Sequence, residues 1–474
     1  MPISYFDTNT CIDYTENKYF VKRLEPDSFL ITTEHGAWVV LNKREYDLLR
    51  LNQLHKDPNL FNTLEYKGII VTERNIDLIV ETYRKRKWYL FNGSGLHIVS
   101  MTSRCNHRCI YCYISASPGN SKGNDMDEDT AKAVVDFIFQ SPSNWITIEI
   151  SGGEPLLNFP VIEFLIDYSN EINKKFKKNL KYTIVTNLTA MDEDILKFFI
   201  KNYVGISTSL DGPKELHDKN RKYLNGGSSY EKTVYWIDVI KKQYKHPIGA
   251  LPVITKHSFD YGKEIVDEYV KYDLESLRLK YMVPVGRARL WDKIGYSPEE
   301  YVGLWKEVLE YILYLNKRGI DFREGMTTLL LKKIINPVDP NFVDLNMPCG
   351  AVVGQTVYDD KGGIYTCDEG RAFDIFRLGN VKKDRYKDIA SSLTTRYMQD
   401  LSSGYSSLCD NCVWKPYCGT CVVCTYSTQG SMINKLPLDF RCRAHKRMLE
   451  HVFRKLIFSE DREILMKWVD VDRY

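Results

Sequence analysis

Alternating apolar and polar segments divide the chain into three parts, of which residues 1–90 are the first. Short β-branched or aromatic runs separated by turns are typical of a small sheet, and apolar residues at helical spacing follow them. Three strands, a helix, a weaker helix and a returning strand are predicted at 19–23, 28–33, 37–41, 43–53, 60–66 and 68–71. This order predicts a winged-helix-like α+β domain.

From residue 96 the pattern changes to strands that alternate with helices, which is typical of a parallel sheet. Strands are predicted at 96–101, 145–151, 182–186, 204–210, 248–255 and 276–282, with helices between them at 129–140, 161–175, 193–202, 230–242 and 259–271. Six such units over 95–295 predict an α/β fold, a partial (β/α)6 TIM-like barrel. The site of such a barrel lies at the C-terminal ends of its strands.

The remaining third combines helices with a cysteine-dense segment. A helix at 298–317 forms the core of a helical bridge over 296–344. Residues 345–450 are loop-rich and poor in apolar residues, so bound metal would supply the stability that the core lacks. An amphipathic helix is predicted from residue 444 onwards, and 451–474 is its terminal part.

Composition narrows the class of protein. The chain has 474 residues, 43% of them hydrophobic and 27% charged, with a net charge of +3. That charge is too small to indicate nucleic acid or a membrane surface as partner. The first 20 residues have no basic segment followed by an apolar run, and no run is long enough to span a membrane, so we expect a cytoplasmic protein. Clustered cysteines in that compartment favour metal over disulfides.

Three cysteines, Cys105, Cys109 and Cys112, carry the most information. Their C-x3-C-x2-C spacing supplies three thiolates and no fourth. Each iron of a [4Fe–4S] cluster normally binds one cysteine, so three ligands leave one iron open to bind a small molecule. The spacing therefore predicts a cluster that does chemistry. A structural zinc site is the alternative, but it normally needs four ligands, and His107 is the only nearby donor.

Polar residues end the strands that follow. The second predicted strand ends in the SGGEP run 151–155, the third in Thr186-Asn187, and the fourth in the STSLDG run 207–212. Glycines let the backbone approach closely, and a glutamate can accept hydrogen bonds from an ammonium group. These groups suit a ligand that contains an amino acid and a ribose.

Together these motifs resemble the radical S-adenosylmethionine (SAM) enzymes, in which the open iron binds the amino and carboxylate groups of SAM. The resemblance implies that a 5′-deoxyadenosyl radical, formed by reductive cleavage of SAM, takes a hydrogen atom from the substrate. By the same resemblance Gly152, Gly153 and Glu154 would hold the ammonium group, and Tyr111 would lie against the adenine. Asn187, Ser209 and Asp211 would lie near the ribose and carboxylate.

The cysteine-dense segment resembles the SPASM extension of radical SAM enzymes, which binds two auxiliary [4Fe–4S] clusters. The resemblance assigns Cys349, Cys367, Cys421 and Cys424 to auxiliary cluster I, and Cys409, Cys412, Cys418 and Cys442 to auxiliary cluster II. Three [4Fe–4S] clusters are then expected in all. The spacing before Cys421 departs from the family pattern, which leaves open the fourth ligand of cluster I and whether one of its irons is open. A zinc-ribbon-like lobe is the alternative, and Cys11 is an ordinary thiol.

The N-terminal domain resembles the peptide-recognition domains of maturases that modify ribosomally made peptides, in which a leader segment adds as a strand to the small sheet. A plain capping domain or an oligomer contact is the alternative. The whole chain thus resembles a radical SAM/SPASM peptide maturase, with a precursor peptide and a low-potential electron donor (flavodoxin or ferredoxin) as partners. The reaction implied is an intrapeptide thioether or carbon–carbon crosslink.

Several points stay open from the sequence. Arg278, Arg287 and Arg289 are candidates to bind an acidic or carbonyl group of the substrate, or are simply packing residues. No catalytic base can be assigned. An anaerobic sulfatase maturase is a second reading, although those enzymes start their cysteine motif near the N-terminus. A non-enzymatic iron–sulfur electron carrier is a third, but it has no use for an open iron.

Overall fold

The structure is a computed structural model that describes residues 13–121, 123–405 and 407–469. Cys11 lies outside the described residues. Two compact units are present: unit 1 comprises Met1–Trp88, Leu330–Pro340 and Gly404–Cys418, and unit 2 comprises Tyr89–Leu329, Asn341–Ser403 and Gly419–Tyr474. None of the described helices is long and apolar enough to cross a membrane.

Unit 1 is built on a three-stranded antiparallel sheet. Its N-terminal elements are β1 (Thr15–Glu16), β2 (Tyr19–Glu25), β3 (Ser28–Thr33), β4 (Trp38–Leu41), α1 (Lys43–Arg50), α2 (Pro58–Tyr66), β5 (Ile70–Val71) and α3 (Ile76–Arg86). The sheet order is β2-β3-β4, and β5 pairs with β1. Asn42 and Glu45 form a capping box that starts α1, whose Leu49 is fully buried together with Ile31 of β3.

Unit 2 begins with the alternating strands and helices that the sequence predicts. They are β6 (Leu96–Ser100), β7 (Arg104–Cys105), β8 (His107–Cys109), β9 (Ser117–Pro118), α4 (Glu128–Ile138), β10 (Trp145–Ser151), α5 (Phe159–Phe176), β11 (Asn179–Val185), α6 (Glu193–Lys201), β12 (Gly205–Thr208), α7 (Lys214–Asn220), β13 (Arg221–Tyr223), α8 (Ser229–Asp238), β14 (Ile248–Ala250), β15 (Val253–Ile254), α9 (Gly262–Lys271), β16 (Ser276–Leu277) and β17 (Lys280–Tyr281).

The remaining helices and strands lie in the C-terminal part of the chain. They are α10 (Trp291–Ile294), α11 (Pro298–Lys317), β18 (Arg323–Glu324), α12 (Gly325–Ile335), β19 (Gln355–Tyr358), β20 (Gly363–Tyr365), β21 (Arg377–Asn380), α13 (Tyr386–Ala390), α14 (Leu393–Leu401), α15 (Ser407–Asp410), α16 (Val422–Gln429), α17 (Phe440–Phe458) and α18 (Arg462–Val469).

The main sheet of unit 2 has eight strands in the order β14-β12-β11-β10-β6-β19-β20-β21. Strands β14 to β6 in this order are parallel, as the βα repeat requires, and β19 adds parallel to β6. The cysteine-dense segment therefore contributes a strand to the barrel sheet, which the sequence pattern did not predict. Parallel strands bring their C-terminal ends to one edge, so the predicted site residues meet there.

Three predicted elements are wrong in extent. The predicted fifth strand at 248–255 is two strands, β14 and β15, because Pro252 between them has no N–H for a ladder. The sixth, at 276–282, is also two short strands, β16 and β17, which pair with β18 and β15. The C-terminal helix is two helices, since the Ser459 hydroxyl accepts the backbone N–H of Asp461 (3.1 Å) and ends α17.

Candidate functional site

The predicted strand ends surround one cavity of about 340 Å³ in unit 2. Its wall includes Ser151 at the end of β10, Val185 at the end of β11 and Thr208 at the end of β12. The cysteine loop that follows β6 forms part of the same wall. The cavity therefore lies where a barrel of parallel strands is expected to place its site.

All three cysteines of the loop line this cavity. The Cys105 thiol accepts the His107 backbone N–H at 3.3 Å and lies 3.9 Å from the Asn187 amide nitrogen. Burial raises the pKa of Cys109 to about 11 and that of Cys105 further still. A bare thiolate is therefore unfavourable here, and a bound cation would be needed to hold these sulfurs ionised.

The three thiols fit an iron–sulfur cluster as its donor set. Soft thiolates are the ligands that such clusters use, and the three face one cavity with room for a further ligand. Over residues 13–121, 123–405 and 407–469, no three His, Cys, Asp or Glu side chains surround one point as the ligands of a single ion would. A [4Fe–4S] cluster spreads its thiolates over different irons, so its ligands lie further apart.

The two glycines of the SGGEP run allow the end of β10 to lie against the cysteine loop. A Cβ on Gly153 would lie 2.0 Å from the Arg104 carbonyl oxygen, and one on Gly152, where φ is +143°, would lie 2.5 Å from the Thr102 carbonyl oxygen. The Gly153 N–H donates to the Thr102 carbonyl at 2.7 Å. The close approach is thus between two backbone segments, and it fixes the position of the cysteines.

Glu154 joins the ends of two strands. Its carboxylate accepts the Thr186 hydroxyl at 2.6 Å and the backbone N–H of Asn187 at 2.8 Å, and it is almost fully buried. Burial raises the pKa of this carboxyl group to about 7. Glu154 and Asn187 both line the cavity, as does Ser209.

Tyr111 lines the cavity, whereas Asp211 lies behind it. The Asp211 carboxylate accepts the Tyr111 hydroxyl (2.7 Å) and forms an ion pair with Arg221 (3.1 Å). The Arg221 guanidinium lies 5.2 Å from the centre of the Tyr111 ring and 3.9 Å from the Cys109 sulfur. In this structure Asp211 therefore supports the residues of the wall and is not itself part of it.

Arg221 is a site residue that the sequence analysis missed. It begins β13, which pairs antiparallel with β8 and sets Arg221 opposite Cys109. This strand has only three residues and no alternation of apolar and polar residues, so the hydrophobic pattern of the sequence did not predict it. The pairing places a permanent positive charge beside a cysteine of the loop.

The three predicted arginines have different positions. Arg278 lines the cavity, with its guanidinium 4.8 Å from the centre of the Phe342 ring. Arg287 lines the cavity too, but its guanidinium donates to the carbonyls of Cys109 and Ala116, each at 3.1 Å. It therefore braces the cysteine loop. Arg289 lies over the Phe373 ring at 5.1 Å, a packing contact.

A charged wall that the sequence analysis also missed includes Glu149, Lys280, Asp368 and Glu369. The Asp368 carboxylate already has two partners: it accepts a hydrogen bond from the Tyr113 hydroxyl and forms an ion pair with Arg371 at 2.6 Å. Asp368 and Glu369 directly follow Cys367, so this wall joins the cavity to the second group of cysteines.

Cys349, Cys367, Cys421 and Cys424 lie in one buried cluster with Phe376 and Met398 among its apolar members. The Cys421 sulfur accepts the Cys424 backbone N–H at 3.3 Å. The hydrogen bond between the Cys421 and Cys424 side chains lowers the pKa of Cys421 and, together with burial, raises that of Cys424. The buried guanidinium of Arg441, paired with Asp344 at 2.9 Å, favours the ionised form of both thiols.

The structure thus brings together the four cysteines that the resemblance assigned to auxiliary cluster I. For the other set, Cys409, Cys412 and Cys418 belong to unit 1 and Cys442 to unit 2. Cluster II stays a prediction.

Comparison with known proteins gives matches along most of the chain. A family model of the radical SAM superfamily matches residues 99–271. An uncharacterised protein of Methanocaldococcus jannaschii is 32% identical over 245 residues, which are 49% of this chain and 82% of that protein. A cysteine-type anaerobic sulfatase-maturating enzyme of Clostridium perfringens is 27% identical over 77% of this chain and 97% of its own length. The radical SAM cyclopropyl synthase TigE of Paramaledivibacter caminithermalis is 25% identical over 85% of this chain and 84% of that enzyme.

Two solved structures share the fold. The structure described as native anSMEcpe with bound AdoMet has a TM-score of 0.66 at 22% identity, and the match covers 78% of this chain and 99% of that one. Streptococcus suis SuiB bound to precursor peptide SuiA has a TM-score of 0.55 at 14% identity, covering 89% of this chain and 98% of that one.

Proposed function

This chain belongs to the radical SAM superfamily, is an enzyme, and is, we propose, a maturase that installs an intrapeptide thioether or carbon–carbon crosslink in a ribosomally made precursor peptide. The observation that carries the proposal is the cavity, which is lined by the cysteine loop and the GGE strand end and also by the charged side chains of Glu149, Lys280, Asp368 and Glu369. The first group of residues suits the cofactors, and the charged group is left for a polar substrate.

Proteins of this superfamily bind SAM and a [4Fe–4S] cluster. In this chain Cys105, Cys109 and Cys112 would hold the cluster, with SAM against Gly152, Gly153, Glu154, Asn187, Ser209 and Tyr111. When bound, these groups supply a radical that removes a hydrogen atom from the substrate. The task of the chain's residues is to orient the substrate and exclude water from the reacting groups.

We also propose two auxiliary [4Fe–4S] clusters. The burial of Cys349, Cys367, Cys421 and Cys424 in one group supports cluster I. The ligands proposed for cluster II are Cys409, Cys412, Cys418 and Cys442. Buried thiols beside a guanidinium are suited to act as metal ligands once ionised. A low-potential donor such as a flavodoxin or ferredoxin would supply electrons.

A solved structure that shares the fold supports a peptide substrate. The S. suis SuiB structure holds the precursor peptide SuiA and its match covers 89% of this chain, whereas the match to the C. perfringens sulfatase-maturating enzyme covers 77%. Unit 1 has a small sheet whose order β2-β3-β4 leaves β2 and β4 as edge strands. An edge strand can bind an extended leader segment by backbone hydrogen bonds.

A second candidate function is anaerobic sulfatase maturation, which oxidises one Cys or Ser of a sulfatase to formylglycine. It is favoured by the match to 97% of the C. perfringens enzyme. The two candidates share the cavity and the cofactors, so only the substrate separates them.

The test begins with anaerobically reconstituted protein, SAM and dithionite, and compares wild type with the Cys105/Cys109/Cys112→Ala variant. Three clusters predict about twelve irons per chain, falling to about eight in the variant, with 5′-deoxyadenosine formed by wild type alone. Iron without SAM cleavage would contradict the proposal and indicate an electron carrier.

The substrate is then identified by mass spectrometry. Synthetic peptides for each short reading frame beside the gene are compared with a cysteine-containing sulfatase peptide. Loss of two hydrogens from a neighbouring-frame peptide is the expected result. Formylglycine in the sulfatase peptide alone would overturn the crosslinking proposal in favour of the second candidate.

A further inference from the structure

Strand β10, with the sequence WITIEIS, has a strict alternation that places one carboxylate inside the barrel. Ile146, Ile148 and Ile150 are fully buried on one face, while Glu149 and Ser151 line the cavity from the other. Strand β10 is paired on both sides, so Glu149 lies between Ile98 of β6 and Thr183 of β11. A glutamate on the inward face of a strand whose other inward residues are Thr and Ser is unexplained by packing.

The Glu149 carboxylate is held in the cavity without a protein donor. Of the described residues, none donates a hydrogen bond to it. The charged groups that face it are Asp368, Lys280 and Arg278. Its oxygens are therefore available to a substrate.

Two other carboxylates of the cavity, Glu154 and Asp368, already have hydrogen-bonding partners. Glu154 accepts three hydrogen bonds from Leu156, Thr186 and Asn187. Asp368 is paired with Arg371. Glu369 has no such partner among the described residues, but it lies two residues from Cys367, and its charge acts on that cysteine. Of the cavity carboxylates that lack a hydrogen-bonding partner among the described residues, Glu149 is the one carried by a barrel strand.

The proposed reaction requires a proton acceptor at this place. A crosslink forms when one substrate C–H bond gives its hydrogen atom to the 5′-deoxyadenosyl radical, which becomes 5′-deoxyadenosine, and a second group, S–H or C–H, loses a proton. The new S–C or C–C bond then forms, and one electron is left over. An iron–sulfur cluster is the class of one-electron acceptor that takes it. The proton has to go to a group of the protein.

We propose that Glu149 is the general base that accepts this substrate proton. The inference rests on the proposed function, since the proton is released only if a substrate is oxidised in this cavity. A carboxylate that lines the cavity and has no hydrogen-bond donor of its own can come within hydrogen-bond reach of a substrate bound there, as a general base must.

Burial, with the negative charge of Asp368 adding to it, raises the pKa of Glu149 to about 7, while Lys280 and Arg278 oppose the rise. A base is most effective when its pKa lies near the working pH. Because the carboxyl is protonated below this pKa, product formation falls as the pH drops through about 7. It levels off above that pH, where the carboxylate is ionised.

The test uses the full-length reconstituted enzyme and the synthetic peptide that wild type modifies. The quantity measured is modified peptide formed per 5′-deoxyadenosine, so effects on SAM cleavage cancel. For Glu149→Gln we expect SAM cleavage to continue and this ratio to fall by about 10²- to 10⁴-fold. Glu149→Asp should restore part of the ratio and keep the fall at acid pH, which Glu149→Gln should lose.

The control is Glu171→Gln, the same change at an exposed residue of α5. Iron content and SAM binding confirm that each variant is loaded. An unchanged ratio in Glu149→Gln, or a wild-type ratio independent of pH between about 5.5 and 8.5, overturns the assignment. So does a loss in Glu369→Gln that Glu149→Gln does not share. If wild type modifies no peptide at all, the proposed function itself fails.

Discussion

At the scale of single residues, the wall behind Tyr111 depends on one buried charge pair. The Asp211 side chain is fully buried, and that of Arg221 nearly so. Removing one member of a buried pair leaves the other charge without compensation, which costs about 3–5 kcal/mol. Removing a neutral donor to a charged acceptor costs less, about 1.5–3 kcal/mol.

These free-energy costs predict which of two variants is the less stable. Asp211→Asn should lower the free energy of unfolding by about 3–5 kcal/mol, and Tyr111→Phe, which removes only the hydroxyl donor, by about 1.5–3 kcal/mol. Urea unfolding of the anaerobic protein measures both. A larger loss in Tyr111→Phe than in Asp211→Asn would show that the pair is not the main support of this wall.

At the scale of elements, the end of β10 and the cysteine loop depend on close backbone contact. A methyl group on Gly153 would meet the Arg104 carbonyl oxygen at 2.0 Å, so Gly153→Ala has to push the two segments apart. Because displacement of about 1 Å can cost about 10² in rate, we expect 5′-deoxyadenosine formation to fall by about that factor. Iron content should fall as well, as the cysteines lose their positions.

The matched control for this variant is Gly249→Ala on β14. A Cβ there would have no neighbour within 4 Å, so the substitution adds a methyl group to a barrel strand without a clash. Wild-type iron content and SAM cleavage are expected. Equal effects of the two substitutions would contradict a specific contact at Gly153.

Local patterns predicted the elements and failed where distant segments decide the structure. The alternation in 145–151 and the capping Ser297 of α11 are local signals, and both elements have the predicted bounds. The partner of β6 on its free side, β19, lies more than 250 residues along the chain, and no local period can show that pairing.

The candidate site shows the same division. Cys105, Cys109, Cys112 and the SGGEP run were evident from spacing. Arg221 was not, since its role comes from pairing with β8. Glu149 could have been found, because a glutamate within an alternating strand of a parallel barrel has to face the interior.

At the scale of the whole molecule, the chain returns to unit 1 twice after leaving it. Gly404–Cys418, which carries Cys409, Cys412 and Cys418, belongs to this unit. The Thr32 hydroxyl donates to the Val413 carbonyl at 2.8 Å, Lys415 pairs with Glu34 at 2.8 Å, and the Tyr417 hydroxyl donates to the Gly36 carbonyl at 3.1 Å. The N-terminal sheet thus holds a cysteine segment in place.

Deleting residues 1–88 should therefore do more than remove a peptide-binding domain. The segment 404–418 would lose its partners on β3 and the turn after it, and the buried Lys415 would lose its ion pair with Glu34, keeping only the one with Asp410. We expect the iron content to fall from about twelve to about eight per chain, because the segment that carries three ligands of the proposed cluster II loses its support. Cys11 is the only cysteine that the deletion removes. Iron and sulfide analysis measures this, with Cys11→Ser as the control for the missing thiol. Retention of about twelve irons, with loss of peptide modification alone, would show that unit 1 serves the substrate and not the cluster.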